Sequence, residues 1–85
     1  MDKQELIDVL TEEEALVCDD LEDALIGMTR NPATGDIIAV YDRNKCIEAR
    51  MKEGMTYEEA CEFHSFNTEG AYVGPKTPLF IETIE

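Results

Sequence analysis

The sequence predicts a small α+β domain with the element order α-β-β-α-α-β. Three observations predict it: helix start and stop signals within residues 41–67, β-branched residues at 36–41 that follow a turn sequence, and a short apolar run at 79–84. A hairpin and a C-terminal strand are expected to form a small antiparallel-type sheet. A helical hairpin is expected to cover that sheet.

The chain is expected to form one domain over residues 1–85, with an acidic helical segment at 1–23 and an α+β core at 24–85. The segment begins with a helical pattern, and Thr11 with Glu14 has the spacing of a second capping box. The pattern leaves open whether the segment is one kinked helix or two. It also leaves open whether the segment is ordered alone or only against a partner.

Two strands are predicted at residues 24–30 and 36–41, on either side of the sequence N-P-A-T-G. Proline and glycine at these positions favour a hairpin loop, so this pair is expected to be antiparallel. Gly27 inside the first strand indicates either a bulge or a close approach of another backbone.

The two central helices have clear boundary signals. Asp42 is a good N-cap for the first helix, and Gly54 suits the left-handed position just after it. Thr56 with Glu59 has the spacing of a capping box that opens the second helix. The apolar face of this second helix is predicted from six residues, Tyr57, Ala60, Cys61, Phe63, His64 and Phe66.

The formal charge of −13 is the strongest compositional feature. Residues 1–23 carry ten acids and one base, a formal charge of −9, whereas residues 24–85 carry ten acids and six bases, a formal charge of −4. Direct binding to nucleic acid or to an anionic membrane is therefore disfavoured. The acidity indicates either a surface for a basic protein partner or only a solubilising surface.

The candidate protein-binding residues follow from this charge pattern and from one aromatic residue in a glycine- and proline-rich loop. They are Glu12, Glu13, Glu14, Asp19, Asp20, Glu22, Asp23 and Tyr72. The alternative for Tyr72 is that it closes the end of the core.

Arg43, Lys45, Arg50 and Lys52 form the one basic cluster, and a helical period places them on the solvent side of the first central helix. There they balance nearby glutamates. An attraction between this cluster and the acidic segment of the same or a second chain is a further hypothesis.

No catalytic, cofactor-binding or metal-binding residues are predicted. Cys61 and His64 are three residues apart on one helix, and Cys46 could approach them, but no zinc-binding knuckle is present and packing is the favoured role. Three widely spaced cysteines are typical of a reducing compartment. With no signal peptide and no apolar run that could cross a bilayer, we expect a cytoplasmic protein.

The strings Y-D-R-N-K-C-I-E, G-M-T-Y-E-E-A-C-E-F and F-N-T-E-G-A-Y-V-G-P-K-T-P resemble a family of small uncharacterised proteins found in tailed-phage and prophage genomes. The resemblance covers about residues 24–81 and leaves out the acidic segment. It implies a phage origin and a bacterial host cell, and it implies no catalytic activity.

These observations together predict a non-enzymatic interaction protein that binds and modulates a host or phage protein. In the sharpest version it is an anti-defence inhibitor that imitates nucleic acid and binds a basic nucleic-acid-binding host protein. The alternative is a small homo-oligomeric structural or accessory phage protein, such as a homodimer.

Overall fold

A computed structural model describes residues 2–66 and 74–83. The elements along the chain are α1 (Lys3–Glu12), a 3-10 helix (Asp19–Ala24), β1 (Leu25–Arg30), β2 (Ile37–Asp42), α2 (Arg43–Lys52), α3 (Tyr57–His64) and β3 (Leu79–Ile81). This is the predicted α+β class with the predicted order of helices and strands.

Helix α1 begins at a side-chain cap and ends at a left-handed residue that is not glycine. The Asp2 side chain accepts a hydrogen bond from the Glu5 N–H at 2.8 Å, as an N-cap does. The Ala15 N–H donates to the Leu10 carbonyl at 2.9 Å across Glu14, whose φ is +56°. Glu14 therefore occupies the left-handed position that usually holds glycine at a helix C-terminus.

The predicted second capping box at Thr11 is wrong. Thr11 lies inside α1, where its hydroxyl donates to the Ile7 carbonyl oxygen at 2.8 Å, and Glu14 ends a helix instead of supporting the start of one. The residues between α1 and the 3-10 helix are not helical, so the acidic segment contains two separate helices.

The acidic segment is an integral part of the core. Leu6, Leu10, Ala15 and Leu21 are buried in one cluster with residues of the sheet and of α2. The remaining buried residues of this cluster are Ala24, Leu25, Ala39, Tyr41 and Cys46. The segment therefore packs against the rest of its own chain.

The hairpin is antiparallel, as predicted, with Leu25 opposite Tyr41 and Thr29 opposite Ile38. The register shifts between Leu25 and Gly27, which places a bulge at the glycine that marked one in the sequence. The turn closes where the Asn31 N–H donates to the Asp36 carbonyl at 2.7 Å.

The third strand makes the sheet mixed. Strand β3 pairs with β2 in parallel, with Phe80 opposite Tyr41, so the strand order is β1-β2-β3. The antiparallel prediction holds for the hairpin alone, since the connection through α2 and α3 returns the chain to the same end of the sheet. The described strand spans Leu79–Ile81, shorter than the predicted run, whose last residue lies outside the described ranges.

The helical hairpin has the predicted caps. The Asp42 side chain accepts from the Lys45 N–H, and Gly54 has a φ of +104°. Thr56 and Glu59 form a reciprocal capping box at the start of α3. Helices α1 and α2 both contact β2, and α3 reaches β3 through His64, so the hairpin and α1 together cover the sheet.

Candidate protein-binding surface

Helix α1 and its N-cap residue carry four exposed acids, which we call the acidic row: Asp2, Glu5, Asp8 and Glu12. The Asp2 carboxylate also caps the helix. They recur every three or four residues, so they share one side of the helix, about 4.5 to 6 Å apart along its axis. All four residues are exposed, while Leu6 and Leu10 on another side of α1 are buried in the core. Core packing thus holds the row outward on a regular element.

Of this row, only Glu12 was predicted as a binding residue. The other three acids are isolated in the sequence, whereas the predicted acids lie in denser clusters further along the chain. The signal that could have found them is the repeat of acids at three- and four-residue spacing within a helical pattern.

Glu13 and Glu14 are exposed in the turn that follows α1, and Glu22 and Asp23 are exposed on the 3-10 helix. The Lys3 ammonium group donates to the Glu22 carbonyl oxygen at 2.9 Å, which joins the start of α1 to the 3-10 helix. This contact places the 3-10 helix beside the start of α1. The side chain of Asp19 and the whole of Tyr72 lie outside the described part of the chain.

Asp20 has an internal partner. Its carboxylate accepts a hydrogen bond from the Arg50 guanidinium at 2.6 Å, and Arg50 also contacts the Glu53 carboxylate at 3.3 Å. The Arg50 guanidinium carbon lies 4.8 Å from the centre of the Phe63 ring, a cation–π geometry. The role of Asp20 in this structure is to fix the acidic segment on α2.

Arg50 is buried and does not lie on the solvent side that the helical period predicted; only 7% of its side chain is exposed. Burial acts to lower the pKa of Arg50, but the hydrogen bond and negative charge of Asp20, with Glu53, outweigh it and raise that pKa. The ion pair between Arg50 and Asp20 is a contact between the basic cluster and the acidic segment of the same chain, as one form of the hypothesis predicts.

Other cations also have acceptors within the chain. Arg43 forms an ion pair with Glu82 at 3.5 Å. Lys76 donates to the Glu13 carbonyl oxygen at 2.7 Å and lies 4.0 Å from the Glu14 carboxylate. Arg43 and Lys76 therefore contact groups that lie outside the acidic row.

In the described part of the chain, the histidine and cysteines that were considered for metal binding are not grouped into a site. His64 is fully buried, and its ring meets Phe80 edge to face at 4.9 Å. Cys18, Cys46 and Cys61 are thiols. Across residues 2–66 and 74–83, no three histidine, cysteine, aspartate or glutamate side chains are grouped so that they could hold a metal ion.

Comparisons with protein-family models, curated proteins and solved structures give no match to this chain. The resemblance to tailed-phage proteins therefore stays a prediction. In the described ranges, every helix is too short or too polar to cross a membrane.

Proposed function

We propose that this protein is a non-enzymatic interaction protein whose acidic row binds a basic surface of a protein partner. The single observation that carries the proposal is the row itself, four exposed carboxylates on one side of a helix that the core holds in place. Such a surface attracts cationic proteins and repels nucleic acids and anionic membranes.

The regular negative charge of the row suggests a more specific form of the proposal. Its carboxylates follow one another by about 4.5 to 6 Å along α1. This spacing is wider than the phosphate spacing of one strand of duplex DNA, about 3.4 Å along the axis, so the likeness to nucleic acid lies in the sign and regularity of the charge. In this form the protein imitates nucleic acid and inhibits a basic nucleic-acid-binding host protein, as a phage anti-defence protein in the bacterial cytoplasm would.

The conformation of Glu14 also supports a role for charge at this end of α1. A left-handed backbone costs a non-glycine residue roughly 1 to 2 kcal/mol, and glycine would relieve that cost. The chain carries an exposed glutamate there. Strain of this kind at an exposed charged residue is typical of a position used for recognition.

A second candidate function is self-assembly, the homo-oligomeric accessory role. Strand β3 is an edge of the sheet and exposes Leu79 and Ile81, with Ile26 exposed on the other edge strand. Exposed edges can pair with a second copy. A dimer in light scattering whose stability does not depend on salt would favour this candidate over the first.

The experiment that tests the proposal compares two variants of equal net charge. The test variant combines Glu5→Gln, Asp8→Asn and Glu12→Gln on α1, and the control combines Asp36→Asn, Glu48→Gln and Glu58→Gln elsewhere. Each protein is used to capture its partner from bacterial host cells at low and high salt, and duplex DNA is then added as a competitor.

We expect the wild-type protein and the control to retain a basic nucleic-acid-binding protein that DNA displaces, and the test variant to lose it. Equal retention by the two variants would overturn the role of the acidic row, because their net charges are the same and only the position of the charge differs.

A further inference from the structure

A groove lies along the outer side of α3 and has no role in the acidic row. It is shallow and open to solvent, has a volume of about 360 Å³, and is lined by Met55, Glu59, Glu62, Phe63 and Phe66. The last four of these residues recur at the spacing i, i+3, i+4, i+7, which places them on one side of a helix. The groove is therefore built by the local sequence of α3 together with the turn before it.

The floor of the groove is apolar, and both Phe63 and Met55 are held in place by contacts with Arg50. Phe66 is 80% exposed, which corrects the expectation that it widens the buried face of α3. Phe63 is fixed by the Arg50 guanidinium 4.8 Å from its ring centre, and the Met55 N–H donates to the Arg50 carbonyl oxygen at 3.4 Å. An exposed ring beside a pre-organised floor is typical of an aromatic anchor at a binding site.

The rim of the groove is negative. The Glu59 carboxylate accepts a hydrogen bond from the Thr56 N–H at 3.0 Å, and this bond, which favours the ionised form, lowers the pKa of Glu59. Glu62 is exposed one turn further along α3. A ligand that buries the apolar floor must therefore bring positive charge to the rim.

We propose that this groove binds a short cationic segment of a partner protein, with one apolar side chain against Phe66 and Phe63 and with lysine or arginine at Glu59 and Glu62. A cationic segment fits this groove better than the acidic face of a second copy, which would bring carboxylates to an acidic rim. The inference rests on the proposed function, since it names a second contact for the same basic partner.

The test uses two synthetic probes, short peptides rich in lysine and arginine that are identical except for leucine or alanine at one central position. Binding is measured by titration calorimetry to the wild-type protein, to Phe66→Ala and Glu62→Gln, and to Glu58→Gln as a control on the same helix outside the groove. Circular dichroism checks that each variant is folded; Phe66 is exposed, so its loss leaves the core intact.

We expect the wild-type protein to bind the leucine peptide roughly tenfold more tightly than the alanine peptide, as burial of an aliphatic side chain predicts. Phe66→Ala should remove this preference. Glu62→Gln should weaken the binding of both peptides, and Glu58→Gln should weaken the binding of either peptide less than Glu62→Gln does. Equal affinity for the two peptides, or a preference that survives Phe66→Ala, would overturn the inference.

The outcomes also separate this inference from the function on which it rests. If neither peptide binds, the groove proposal fails, while partner capture by the acidic row stands on its own experiment. If the leucine preference holds but the α1 test variant still captures the partner, the acidic row fails and the groove remains.

Discussion

Arg50 joins three parts of the molecule, because its guanidinium contacts Asp20 of the acidic segment, Glu53 at the end of α2 and the Phe63 ring of α3. We expect Asp20→Asn to lower the free energy of unfolding by about 1 to 2 kcal/mol, since a charge-assisted hydrogen bond to a buried cation is weakened. The control is Asp23→Asn, an exposed acid of the same 3-10 helix. Urea denaturation measures both, and equal small effects would contradict the role of Asp20.

Tyr41 gives a prediction for alkaline pH. Burial raises the pKa of Tyr41 from 10.0 to about 12, while the hydrogen bond from the Cys18 N–H, at 2.7 Å, acts in the opposite direction. Below pH 10 the phenol is neutral in both states. Between pH 10 and 12 it ionises only in the unfolded state, so the free energy of unfolding falls by roughly 1.4 kcal/mol per pH unit.

The variant Tyr41→Phe should remove this alkaline fall. It should also cost about 1 kcal/mol at neutral pH, because the Cys18 N–H loses its acceptor. The measurement is urea denaturation of both proteins at several pH values, and parallel alkaline slopes would count against the buried phenol.

Sequence reasoning at the residue scale succeeded where the interaction is local. The cap at Asp42 and the left-handed Gly54 follow from neighbours a few residues away, and both are confirmed. Arg50 was placed on the wrong side of α2 because its decisive partner, Asp20, is 30 residues away in the chain. No helical period contains that information.

The helical hairpin depends on the capping box at the start of α3. We expect Thr56→Ala to lower the free energy of unfolding by about 1 kcal/mol, because the Glu59 N–H loses its acceptor. Thr56→Ser keeps a hydroxyl at the N-cap and should restore most of that loss. Thermal unfolding followed by circular dichroism measures the series, and a serine variant no better than alanine would contradict the capping role.

The same capping box predicts a response to acid. The pKa of Glu59 is lowered by its hydrogen bond to the Thr56 N–H, so its contribution to stability is present above the ordinary glutamate pKa of about 4.3. That contribution is lost as the pH falls through the lower pKa of the folded state. Glu59→Gln should therefore be less sensitive to acid than the wild-type protein in denaturation measured across this pH range.

The end of α1 gives the opposite kind of prediction, a substitution that stabilises. Glu14→Gly should raise the free energy of unfolding by up to about 1 kcal/mol, since glycine adopts a positive φ without steric cost. The matched control is Glu13→Gly, which removes the same charge at a residue with a φ of −82° and should destabilise. A gain from both substitutions, or from neither, would contradict the strain assigned to Glu14.

At the scale of elements, the sequence predicted the hairpin and the helical pair because each is specified by contiguous signals. It did not predict that β3 runs parallel to β2, since the direction of a distant strand depends on how α2 and α3 cross the sheet. The apparent capping box at Thr11 failed for a related reason. The same residue spacing occurs across the C-terminus of α1, and local spacing alone does not distinguish the end of a helix from the start of one.

At the scale of the whole molecule, the formal charge of −13 can be counted from the sequence, but which acids are available to a partner cannot. Of the predicted binding residues, Asp20 is paired with Arg50, whereas Glu12 belongs to an exposed row whose other members were missed. The packing of Leu6 and Leu10 confirms the apolar side of α1 that its helical period indicates, and the acidic row lies outside that side. The distinction between acids that stabilise the fold and acids that could recognise a partner is thus a property of the folded chain.

The most direct test of the proposed recognition by the acidic row is the dissociation constant for the captured partner, measured as a function of salt for the two variants of equal charge. If the row on α1 is the recognition surface, the variant with Glu5→Gln, Asp8→Asn and Glu12→Gln should bind at least tenfold more weakly at low salt, with a shallower salt dependence, while the control stays close to wild type. If both variants weaken binding equally, the partner responds only to net charge, and the proposed recognition by α1 is wrong.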